Sequence, residues 1–301
     1  MSEHPPAADA EPFALENVPR PSADANRDLL ALVRLADLMS ITAGRPEIKI
    51  GLIDGPVRLG HPDLPAENLR FLGRPAECGG AADPACGHGT FVAGILAGRR
   101  GSVAPAICPG CTLLVRPIFG NGSPGASPGE LAAAMLDSMA AGARVLNLSL
   151  GLLHIAARDA GLLDQVLAEA VRRGVLLVAA AGNEGAVGGS ALTCHPWVLP
   201  VAACDRAGRP LAGSNLGRSI GRRGLLAPGA GVHGLAAGGT PVVSGGTSAA
   251  AAFVTGALAL LWSLFPAASA ATLRAAIAPP AGAGPVPPLL DAEAAYRRLA
   301  S

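Results

Sequence analysis

The chain has 301 residues, half of them hydrophobic and only 15% charged, so it can bury a sizeable core and is not a disordered polypeptide. Lys and Arg number 23 against 22 Asp and Glu, a formal net charge of +1. That balance provides no field to gather nucleic acid or an anionic membrane.

Residues 1–24 are acidic and proline-containing, with no cationic start followed by an apolar stretch, so they read as a flexible leader and not as a secretory signal. A cytoplasmic protein is the expectation. Residues 26–43 carry Leu29, Leu30, Leu32, Val33, Leu35 and Leu38 on one broad face and read as a helix. From residue 47 the pattern changes. IKIGLID (48–54), TLLVRPI (112–118), ARVLNLSL (143–150) and GVLLVAAAG (174–182) are short apolar runs, alternating with helical segments at 88–97, 128–141, 160–173 and 248–265. Strands that are apolar on both faces and separated by helices predict an α/β protein, a parallel β-sheet with helices on both faces. The longest apolar run, Ala249 to Trp262, is too short and too poor in flanking charge to cross a membrane and reads as a buried helix. One domain over 25–301 is expected, with its core at about 45–278 and a final helix at about 289–299.

Six cysteines stand at 78, 86, 108, 111, 194 and 204. Without a signal sequence they are expected as reduced thiols. Two alternatives stay open: a four-sulfur metal site built on Cys108-Pro-Gly-Cys111 with Cys78 and Cys86, and, under oxidation, a Cys194–Cys204 disulfide flanking WVLPVAA.

Asp54 ends an apolar run and precedes Gly55-Pro56; by itself it reads as a turn residue. His88, in CGHGTFVAGILAG, and Ser248, in SGGTSAAAAFVTGALALL, each stand beside glycine where a helix begins, and singly each reads as structural, Ser248 as an N-cap. Together they say more. A weak alcohol nucleophile needs a base within hydrogen-bond reach, and the base needs a carboxylate to fix its tautomer and stabilise the imidazolium. A helix opening at Ser248 adds backbone N–H groups where an oxyanion would develop. Asn183, in VAAAGNEG, can donate its amide to the same oxyanion, and the small residues before it leave room for a substrate side chain.

These segments resemble, in chain order, the signatures of the subtilisin family: a strand-end aspartate followed by HPDL, HGT-x-V-A-G, N-x-S-x-G, A-A-G-N and G-T-S. LIDGPV with HPDL, CPGCTLLVRPIF and LAPGAGVHGL resemble more narrowly the proteases that mature cyanobactins, ribosomally made peptides trimmed inside the cell. The resemblance implies a subtilisin-like three-layer sandwich and a serine endopeptidase acting through an acyl-enzyme, with the leader of such a peptide as its expected substrate. It implies Ser248 as nucleophile, His88 as base and then acid, Asp54 as orienter, and Asn183 with the Ser248 N–H as oxyanion hole. Ser149, Leu150 and Gly151 would pair with an extended peptide, Ala180, Ala181 and Gly182 would form the other wall of the first pocket, and Thr247 would lie beside the nucleophile. The implied partner is a peptide or protein, not nucleic acid or membrane. No cofactor and no catalytic metal are implied, and structural calcium maps at most to Asp63.

Three features depart from the family pattern: Gly55 offers no hydroxyl to the aspartate, Ala252 and Phe253 replace the usual proline and histidine, and, with about 45 residues ahead of the first strand, no inhibitory prodomain and hence unaided folding are expected. His61 and His195 read as loop residues and His233 as part of a Gly-rich turn, while His154 is expected near the cleft. Two other functions remain in view. One is a macrocyclase or transpeptidase, for which CGGAADPAC is too short to form a lid; the other is a catalytically silent peptide-binding module.

Overall fold

The computed structural model describes residues 16–17, 24–73, 78–80, 83–120, 126–149, 157–278 and 284–301. Glu16 and Asn17 form a two-residue strand, β1, inside the stretch expected to be a flexible leader. The single helix expected over 26–43 is two, α1 (Arg27–Leu32) and α2 (Leu35–Ile41). Arg34 between them takes a left-handed φ of 53°. The break is where this segment docks on the C-terminus of the chain: the Val33 carbonyl accepts the Ala292 N–H at 3.1 Å, and the Arg34 guanidinium donates to Glu293 at 2.9 Å.

Seven strands make the main sheet: β2 (Lys49–Asp54), β3 (Leu69–Phe71), β4 (Thr112–Pro117), β5 (Val145–Leu148), β6 (Leu176–Ala180), β7 (Val198–Cys204) and β8 (Leu225–Pro228). Their order is β3-β4-β2-β5-β6-β7-β8, with every neighbouring pair parallel. Period-two alternation sends side chains to two separate cores. Ile50, Leu52, Leu113, Val115, Leu176, Val178 and Leu199 join one, and Ile53, Leu114, Leu146, Leu148, Leu177 and Ala179 the other. The first core is completed by α3 (Pro84–Ala97) and α8 (Thr247–Leu264), the second by α4 (Pro128–Ala140) and α5 (Ala157–Arg173). Thus the strands inside the sheet are buried on both faces, as the continuous apolar runs require, while edge strand β3 exposes Arg70. Shorter helices α6 (Ala191–Cys194), α7 (Arg218–Arg223), α9 (Ala270–Ile277) and α10 (Ala292–Ala300) fill the periphery. The apolar run at 249–262 lies wholly within α8, every residue of it buried.

A second, antiparallel sheet has the order β1-β10-β9, with β9 (Val232–Gly234) and β10 (Val242–Ser244). His233 therefore sits in a strand and not in the turn expected for it. Sulfur chemistry also differs from expectation. Cys78 and Cys86 form a disulfide, their Cα atoms 5.3 Å apart, so the thiols are not all reduced and the four-sulfur metal site loses two ligands to each other. Cys194 and Cys204 are free thiols. Strand β7 runs extended between them and spans roughly 20 Å, far beyond the separation a disulfide bridges.

Candidate active site

Asp54 is the last residue of β2 and is fully buried. Its Oδ1 accepts two hydrogen bonds, from the Gly55 N–H at 2.6 Å and from His88 Nδ1 at 2.5 Å, while Oδ2 is buried with no hydrogen-bond partner. That orphaned oxygen is where the departure at Gly55 is felt. A side chain at Gly55 is nevertheless excluded, because a Cβ there would lie 2.2 Å from the Ala85 carbonyl oxygen.

His88 lies in the second turn of α3, which begins at Pro84 with Asp83 as N-cap, four residues before the expected start. The helix approaches β2 backbone against backbone: a Cβ on Gly89 would meet the Pro56 and Gly55 carbonyls at 2.4 and 2.5 Å. Glycine at both positions is what allows the imidazole to reach the carboxylate. The side chain of His88 is 12% exposed, and the Phe119 ring packs edge-on against it with centroids 6.0 Å apart. Burial works to lower the His88 pKa, but the charge of Asp54 and its hydrogen bond outweigh that and hold it above 6.5.

On the other side, Ser248 is the second residue of α8 and 5% exposed. Gly246 caps the helix with φ 89°, and its N–H donates to the Gly229 carbonyl at 2.7 Å. Asn183 follows the end of β6 and is exposed. Its Oδ1 accepts the Thr247 N–H at 2.9 Å, which leaves the Nδ2 amino group as the donor end of the side chain. Thr247 Oγ1 accepts the Gly182 N–H at 3.2 Å. The start of α8 is thereby pinned to the end of β6. Since β2, β5 and β6 are adjacent and parallel, the two halves of the site share one carboxyl edge, where β2 and β6 end about two strand spacings, roughly 10 Å, apart.

Ser149, just past β5, is buried, and its hydroxyl accepts a 2.7 Å hydrogen bond from Asn147, which in turn accepts one from Thr255 of α8 at 2.8 Å. Ala180, Ala181 and Gly182 line the end of β6. Leu150, Gly151 and His154 lie outside the described residues. Asp63 meets its surroundings through its backbone, donating to His61 Nδ1 at 3.1 Å and accepting from Arg99 at 2.8 Å. Among the described residues no group of three or more His, Cys, Asp or Glu could hold a metal ion.

Two residues not singled out from the sequence hold the loop after β6 in place. Asn215 latches the 181–186 loop: Nδ2 donates to the Ala181 carbonyl at 3.1 Å and to Glu184 at 2.5 Å, and Oδ1 accepts from the N–H groups of Glu184 and Ala186 at 3.2 and 2.8 Å. Glu184 is thereby held over Gly182, its carboxylate 2.5 Å from where a Cβ would be. The glycine at φ 105° is what admits it. The neighbouring A-A-G-N motif marked this loop, but nothing in the sequence tied distant Asn215 to it.

The profile of the subtilase family matches residues 45–293. Subtilisin amylosacchariticus from Bacillus subtilis subsp. amylosacchariticus is 30% identical over 239 residues, which cover 75% of this chain and 58% of that protein. The chain thus spans just over half the length of this relative. Two solved structures are similar over most of the chain: a mutant of the protease domain of PatA, with a TM-score of 0.79 at 31% identity over 85% of this chain and 96% of that one, and the prenylagaramide maturation protease PagA, with 0.78 at 30% identity over 88% and 98%.

Proposed function

Because the chain belongs to the subtilase family, we propose that it is a serine endopeptidase whose catalytic groups are Asp54, His88, Ser248 and Asn183. The Asp54–His88 hydrogen bond, at the same sheet edge as the N-terminus of α8, is the observation that carries this reading.

In this reading the Ser248 hydroxyl attacks the scissile carbonyl while His88 Nε2 takes its proton. Asp54, bound to Nδ1, fixes the tautomer and stabilises the imidazolium that results. The carbonyl oxygen, now negative, is held by the Asn183 amide and by the N–H of Ser248 at the positive end of α8. His88 then passes its proton to the departing amine, the C–N bond breaks, and water attacks the acyl-enzyme by the same route in reverse roles. The peptide lies extended against Ser149 to Gly151, with the side chain before the cut between that edge and Ala180 to Gly182. Glu184 puts a carboxylate over that wall, which favours polar or basic side chains there. PagA is a prenylagaramide maturation protease, and the trimming of peptide precursors is the proposed use of this chain.

A fluorophosphonate probe is expected to label the protein at Ser248 and to leave Ser248→Ala unlabelled. Peptide hydrolysis in that variant is expected to fall about a million-fold, the size of loss found for subtilisin itself. Labelling that survives the substitution would refute the nucleophile.

A further inference from the structure

The small antiparallel sheet sets a strand of the chain itself beside the nucleophile. β10 is its central strand, with β9 on one edge and β1 on the other. Beyond Ser244, β10 continues through Gly245 and Gly246 into α8, so Val243, the partner of Glu16, is five residues from Ser248. That is no more than roughly 18 Å even for a fully extended chain. The connection is fixed: Gly246 donates to the Gly229 carbonyl at 2.7 Å, and a Cβ on Gly245 would stand 2.1 Å from the same oxygen. β9 holds the other edge along Val232–Gly234.

Polarity gives the arrangement its meaning. β10 runs toward Ser248, and β1 pairs antiparallel to it, Glu16 opposite Val243 and Asn17 opposite Val242. β1 therefore runs N to C away from the nucleophile. The leaving half of a cleaved peptide has the same polarity, since it starts at the scissile bond and continues N to C away from Ser248. A substrate that adds itself to the sheet on that side needs the edge of β10 that β1 covers.

We infer that β1 is a built-in competitor for the leaving side of the cleft: Glu16 and Asn17 pair with β10 in place of the leaving half of a peptide substrate, and a substrate with a long leaving half must displace them. The inference rests on the hydrolase reading above. Two residues make few ladder hydrogen bonds, so the strand shields an otherwise open edge and still yields to a longer peptide. Its effect falls on affinity for long substrates and not on the chemistry at Ser248.

The test compares the full chain with its Glu16→Pro/Asn17→Pro double variant, in which the ladder N–H donors are gone. Two substrates share one acyl half: an anilide, whose leaving group is a single aromatic amine, and a peptide whose leaving half is long enough to pass Val242. The variant is expected to show a KM for the long peptide lower by roughly five- to tenfold, with kcat/KM for the anilide unchanged within about twofold. An unchanged KM for the long peptide, or an equal change on both substrates, overturns the inference. Fluorophosphonate labelling separates this from failure of the hydrolase reading. Proteins that label and cleave the anilide without the KM split fail only here, whereas proteins that neither label nor cleave anything fail as hydrolases and take this inference with them.

Discussion

The two halves of the site are held by different physics. On the β2 side, Asp54 and His88 meet because backbone packs on backbone, with Gly55 against Ala85 and Gly89 against Gly55 and Pro56. On the β6 side, Asn183 and the start of α8 meet through hydrogen bonds that run through Thr247, Gly182, Asn215 and Glu184. Packing of this kind tolerates no added atom, while a hydrogen-bond network can lose one member and keep its shape.

The sharpest separation of the two halves comes from Asn183→Leu. Its kcat is expected to fall by about 10²- to 10³-fold, the loss known from subtilisin when the equivalent donor is removed, with KM nearly constant. Steady-state kinetics and a thermal melt check it: a kcat within a few-fold of wild type removes Asn183 from the oxyanion hole. Gly55→Ala probes the packed half. The added methyl must push α3 back from β2, and a displacement near 1 Å is expected to lower kcat by about 100-fold. Overpacking is expected to cost about 1–3 kcal/mol in addition, read as a fall in Tm. Full activity and an unshifted Tm would show that the backbone contact does not set the geometry.

The smallest effect is on pH dependence. In the proposed mechanism His88 must be neutral to accept the Ser248 proton, and Asp54 holds the His88 pKa above 6.5. The kcat/KM profile is therefore expected to rise with pH and to have its midpoint above 6.5, moving down in Asp54→Asn, where the charge is gone. A wild-type midpoint at or below 6.5 would mean that burial outweighs the carboxylate.

Much of this was legible in the sequence because it depends on local pattern. The apolar runs of β2, β4, β5 and β6 fall within the expected segments, and α8 occupies nearly the expected range. Asp54, His88 and Asn183 stood out because each adjoins glycine at a strand or helix boundary, and Ser248 because it follows Gly245-Gly246-Thr247 where a long apolar helix opens. What stayed hidden depends on contacts between distant residues. Asn215 serves a loop 29 to 34 positions earlier, and Cys78 pairs with Cys86 although the sequence pointed to Cys194 and Cys204 as the candidate pair. The break at Arg34 is imposed by Ala292 and Glu293, which no helical periodicity within 26–43 could announce. Ala252 and Phe253, which depart from the family pattern, are simply core residues of α8, fully buried.

The burial of α8 has a consequence for how the enzyme fails. Nearly all of the helix that presents Ser248 is sealed between the sheet and its neighbours, so its amides have no local opening by which to exchange with solvent. Deuterium uptake along residues 249–262 should be among the slowest in the chain and should coincide with loss of function on heating, so that Ser248 leaves its place only when the core around α8 unfolds.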